Sequence, residues 1–100
     1  MDYLKQVRAF ERKLLKNPWA LSRNAQILWY RINSRAGVEG GTWEVSFFGL
    51  ELSRMMGVTL KTFLAARDEL ERKGFIKVEK GARARRGKLR ITNLYEEKVL

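Results

Sequence analysis

The stretch KGARARRGKLR, Lys80 to Arg90, carries six Lys or Arg among its eleven residues and no acid. It is flanked by two short β-like segments, FIKVE before it and LRIT after it. This pattern reads as an antiparallel hairpin with strands at 75–79 and 88–93 and a strongly basic tip. Alternate residues of a strand share a face, so Lys88 and Arg90 are expected to project together. Such a patch suits a polyanion, because Lys and Arg release condensed counterions from nucleic acid when they bind it. The plainer reading is a solvated hairpin tip.

The 100 residues are enough for one domain with a modest core. The net charge of +10 is placed unevenly. Residues 1–35 carry a net of +6, residues 36–78 are neutral, and residues 79–100 carry +4. A basic balance of this size points to a polyanionic partner or an acidic surface. There is no Cys and no His, which removes disulfides, the usual zinc sites and every Cys/His or Ser-His mechanism. No apolar run approaches the roughly 18–20 residues of a membrane span, and the charged start lacks the apolar centre of a signal peptide. A cytoplasmic protein with no membrane contact is expected.

Upstream of the hairpin the chain reads as four helices. Tyr3, Val7, Phe10 and Leu14 form one face of a helix over 2–16, which Asn17-Pro18 should stop. Ser22 caps a second helix to about Ala36, with Gly37 past its end and Ala25, Leu28, Trp29, Ile32 and Ala36 in the core. Gly40-Gly41 turns the chain into β-like Thr42–Val45. Ser46 is expected to cap a third helix to about Met56, burying Phe47, Leu50 and Met55. Gly57-Val58 then turns into a fourth helix, capped by Thr59 and ended at Lys73 by Gly74. Trp19, Trp29 and Trp43 are expected in or near the core.

Two helices joined by a short glycine-containing turn make a helix-turn-helix, and with the hairpin the chain reads as a winged helix. The expected fold class is α+β, mostly α: a winged helix-turn-helix with an additional N-terminal helix and a basic β-hairpin wing. Three regions are expected: residues 1–18 as the N-terminal helix and its Asn-Pro boundary, 19–94 as the winged domain, and 95–100 as a tail or linker.

On the fourth helix, Leu60, Phe63, Ala66 and Leu70 should face the core, while Lys61, Ala65, Asp68 and Arg72 face out, with Thr62 and Leu64 at the margins. A reader of base edges would offer Arg, Asn, Gln or Lys there. Lys61 and Thr62 offer limited groove contact and Asp68 repels phosphate, so base readout is expected to be weak. Thr59, a cap worth about 1 kcal/mol, also sits where a helix N-terminus suits an anion. Arg67 lies at the edge of the buried face, to snorkel out or pair with Glu51 or Glu71. The stronger site is the wing, with Lys80, Arg83, Arg85, Arg86, Lys88 and Arg90 as phosphate or minor-groove contacts.

GARARRGKL is not a phosphate-cradling P-loop. Five residues separate Gly81 from Gly87 where the motif has four, and Leu89 follows the lysine. No spaced pair of catalytic groups is present, so no enzyme, metal or cofactor is expected.

The stretch VTLKTFLAARDELERKGFIKVEKG resembles the recognition helix and following strand of winged-helix proteins, with Leu70, Glu71, Gly74 and Ile76 in its Leu-Glu-x-x-Gly-x-Ile run. LSRNAQILWYRI, Leu21 to Ile32, is similar to the opening helix of bacteriophage replication initiation proteins and of the N-terminal domain of DnaD-like primosome proteins. The resemblance covers about residues 20–93. Many winged helices have an apolar residue where Arg67 stands, whereas the phage proteins look like this chain there. The resemblance implies a replisome organiser that binds duplex DNA at an origin, often as part of a longer protein, with replisome partners such as a helicase loader. It also implies self-association into a dimer or higher oligomer, for which Tyr3, Val7, Phe10 and Leu14 are the candidates. Packing of that stripe on its own domain is the competing expectation. Rival functions are a transcriptional repressor, a protein-interaction module using Leu64, Ala65 and the first helix, and an RNA binder.

Overall fold

A computed structural model describes residues 1–79 and 86–96. The chain there is α+β and mostly helical. Helices α1 (Tyr3–Lys16), α2 (Arg23–Val38), α3 (Gly49–Met56) and α4 (Leu60–Arg72) accompany strands β1 (Glu44–Phe48), β2 (Ile76–Val78) and β3 (Arg86–Ile91). The strands form one antiparallel sheet in the order β1-β3-β2.

Local signals set most of the boundaries. Asp2 caps α1 by accepting from Lys5 N at 3.1 Å, Ser22 caps α2 by accepting from Ala25 N at 3.2 Å, and Thr59 caps α4 by accepting from Thr62 N at 3.2 Å. Between α3 and α4, Gly57 has φ +72, a left-handed conformation that an L side chain rarely adopts. α2 runs two residues beyond Ala36, through Gly37, because the turn is made later, by Gly40 and Gly41 at positive φ.

The apolar stripe of α1 faces its own chain. Phe10 is fully buried and stacks on Trp29, ring centroids 3.7 Å apart and planes 6° from parallel. Val7 and Leu14 pack half-buried against the same core. Gln6, also fully buried, donates from Nε2 to Thr92 O at 2.9 Å and to Asn33 Oδ1 at 3.3 Å, and its Oε1 accepts from Leu94 N at 2.9 Å. One side chain thus ties α1 to α2 and to the exit of β3. The Tyr30 phenol donates to Glu11, and burial together with that carboxylate pushes it up to about 12. α1 is built into the fold, and Phe10 is withdrawn from the self-association surface expected of it.

The region around Ser46 corrects the sequence reading. Ser46 is no helix cap: it lies in β1 with its Cα opposite Lys88, and α3 begins three residues later at Gly49. Val45 and Phe47 point into the core, so pairing with β3 carries the strand past the serine. The later start changes the phase of α3, which buries Leu52 and Ser53 and leaves Leu50 and Met55 exposed. Leu60, expected inside, is exposed in the first turn of α4. β3 begins two residues earlier than expected, and Gly87 is a strand residue: a Cβ there would stand 3.0 Å from the Phe47 ring. Trp19, expected near the core, is 88% exposed, and Leu21 is the buried residue of that turn.

Candidate nucleic-acid interface

Two sets of residues are expected to meet nucleic acid and a third to meet a second copy of the chain, and the fold treats each differently. Of the wing residues, Lys80, Arg83 and Arg85 lie outside the described residues, and Arg86 is placed as the first residue of β3. β2 and β3 pair antiparallel as far as Glu79, whose N–H donates to Lys88 O at 3.0 Å. The basic segment therefore joins two hydrogen-bonded strands.

Lys88 and Arg90 do project together, from the outer face of the sheet. They meet an acid there. Glu44 of β1, directly opposite Arg90, accepts from Arg90 Nη2 at 2.9 Å through Oε1 and pairs with Lys88 Nζ at 3.2 Å through Oε2. Hydrogen bonds from Arg90 and then Lys88 hold the Glu44 carboxyl below its ordinary range, so the acid stays ionised at neutral pH. The two cations are half-neutralised as a group, and a phosphate arriving at this face shares them with Glu44. A surface depression lined by Glu39, Thr42, Trp43, Glu44, Ser46 and Lys88 lies beside them, so a second acid also faces it.

Sequence reasoning missed two members of this face. Lys77 is exposed and lies opposite Arg90 on the other side of β3, so a row Lys77, Arg90, Glu44 crosses the sheet. Its signal was the alternation Ile76-Lys77-Val78. Glu44 had no local signal, because it meets Lys88 and Arg90 only through the β1–β3 register.

The outward side of α4 is as the helical phase predicts. Lys61, Ala65, Asp68 and Arg72 are exposed, Thr62 and Leu64 are half-buried, and Phe63, Ala66 and Leu70 are in the core. Thr59 Oγ1 lies 3.0 Å from Thr62 Oγ1 as well as capping the helix, so both hydroxyls are engaged at the end that Lys61 adjoins. Arg67 pairs with its neighbour Asp68 at 3.3 Å, because Glu51 is held by Arg35 at 2.7 Å and Glu71 accepts from Val78 N at 2.8 Å. Its Nε is buried with no hydrogen-bond partner among the described residues.

The third set, on α1, is mostly inside. Tyr3 keeps 38% exposure, with its hydroxyl 3.2 Å from Ser34 Oγ, while Val7 and Leu14 are half-buried and Phe10 is covered.

Comparison of the chain with models of known protein families, with curated proteins and with solved structures finds no match. Among the described residues, no helix is long and apolar enough to cross a membrane.

Proposed function

We propose that this chain is a winged helix-turn-helix domain that binds duplex DNA without catalysis, through phosphate contacts. The observation that supports the reading is the antiparallel pairing of β2 with β3, the two strands that the chain connects through Lys80, Arg83 and Arg85, with Arg86 opening β3. Basic side chains so placed position a protein on the duplex and give little sequence information. α4 adds Lys61 at its N-terminal end and no arginine before Arg67, which fits weak base readout. The role in phage-type replication initiation, with replisome proteins as partners, rests on the resemblance of Leu21–Ile32 and of the Leu70–Ile76 run. A second reading, a protein-interaction module of a replisome, is favoured by the exposed Leu4, Leu15 and Val38 of α1 and α2, with Tyr3 beside Val38.

The triple substitution Arg83/Arg85/Arg86→Ala tests the first reading by fluorescence anisotropy. Affinity should fall about equally on all duplex sequences, and the slope of log K against log salt should flatten by about 0.9 for each phosphate no longer neutralised. Unchanged affinity and slope would remove the wing as the binding element. A fall confined to one sequence would favour a repressor.

A further inference from the structure

Three tryptophans occupy three environments. Trp29 is fully buried, Trp43 is half-buried against Tyr95, and Trp19 is 88% exposed in the turn between α1 and α2. That turn is firmly held. Ala20 N donates to Asn17 O at 3.0 Å, the Lys73 ammonium donates to Ala20 O, and Leu21 is buried. Glu69 of α4 accepts from Ser22 N and from Ser22 Oγ, both at 2.7 Å. The ring next to these anchors is displayed in solvent on a fixed backbone.

Exposed cations flank this turn. Lys16 ends α1, Arg23 begins α2, and Lys73 lies at the end of α4 with its ammonium against the turn, all exposed. The acid at this end, Glu69, accepts from Ser22 with both oxygens and keeps its charge beside Lys73, which leaves Lys16, Arg23 and Lys73 a net of +2. An exposed aromatic ring on a turn flanked by Lys16, Arg23 and Lys73 matches an unstacked base with phosphates on either side, a pairing that tolerates any sequence because every base has a π-face. A duplex hides those faces.

We propose that Trp19, with Lys16, Arg23 and Lys73, forms a second nucleic-acid site that takes single-stranded DNA by base stacking. This site is separate from the basic segment between β2 and β3 and stands without the duplex reading.

The test measures anisotropy of labelled oligo(dT), about 12 nucleotides long, and of a random-sequence duplex, for the wild type, Trp19→Ala and Trp19→Phe. Trp19 is exposed and contributes little to the core, so both variants should fold, which circular dichroism checks. Trp19→Ala should lose about fivefold to a hundredfold in oligo(dT) affinity and keep its duplex affinity. Trp19→Phe, which keeps a ring, should retain most of the oligo(dT) affinity. Wild-type fluorescence should be quenched by oligo(dT) in the same titration. Equal oligo(dT) affinity in the wild type and Trp19→Ala would overturn the proposal. So would an equal loss on both DNAs, or binding to anionic phosphatidylserine vesicles with none to oligo(dT). Loss of duplex binding in the wing variant alone leaves this site standing, and the converse result leaves the wing standing.

Discussion

The two basic ends of the chain differ in how their charge is held. On the sheet, Lys88 and Arg90 converge on one carboxylate, Glu44. On α1 and the start of α2, Lys5, Arg8, Arg12, Lys13, Lys16 and Arg23 make no ion pair with a described residue, and the acid among them, Glu11, accepts from Tyr30 instead. Cross-strand register decides what a cation on the sheet faces. At the sheet the charge is dense and shared. Along α1 it is dispersed and open, on a helix fixed by Phe10 and Gln6.

This contrast fails first if α1 is not integral to the fold. Phe10→Glu would place an unpaired carboxylate in the stacked position against Trp29, and should cost at least about 3 kcal/mol, enough to unfold much of the population. Chemical denaturation followed by circular dichroism checks this. A variant that stays folded and becomes monomeric would instead make the stripe a surface between copies.

A smaller effect is expected where α4 holds the start of α2. Burial pushes the Glu69 carboxyl up, but hydrogen bonds from Ser22 N and Oγ, with the charges of Lys73 and Arg72, hold it below its ordinary value of 4.5. A group whose acidity is strengthened on folding stabilises fully above its unfolded value and loses that contribution as pH falls through the folded one. Glu69→Gln should therefore cost about 1 kcal/mol at neutral pH and lose less stability below pH 4.5 than the wild type does. Stability measured against pH in both proteins decides it; parallel acid curves would contradict the assignment.

The smallest effect concerns the sheet side. Glu44→Gln removes the shared acid while leaving Lys88 and Arg90 in place. Exposed pairs of this kind contribute little to stability, so thermal unfolding should barely move. Duplex affinity should rise a fewfold, and the salt slope should steepen by about 0.9, the one phosphate contact that the removed charge had offset. An unchanged slope would show that this face of the sheet does not meet phosphate.

Much of the fold was legible in single residues. Ser22, Thr59 and Gly74 announced helix ends that depend on local hydrogen bonds and φ, and the 3.6-residue periods of α1, α2 and α4 identified their buried faces, Leu60 in the first turn of α4 excepted. The third helix was misplaced at Ser46 because a serine suits a cap and an edge of a strand alike. Only pairing with β3, where Ser46 lies opposite Lys88, favours the strand, and Leu50 and Met55 then fall outside. Trp19 was misread because bulk and apolarity argue for burial, whereas Leu21 fills that part of the core. In the candidate site, the joint projection of Lys88 and Arg90 followed from strand alternation. The acid between them did not, since Glu44 reaches them only through register.

Whether the chain is a duplex-binding protein at all is decided by anisotropy of the wild type with random-sequence duplex DNA at two salt concentrations. Affinity in the micromolar range is expected at low salt, falling steeply as salt rises and varying little with sequence. Absence of binding at low salt, despite a net charge of +10, would contradict duplex recognition and leave the protein-interaction reading in its place.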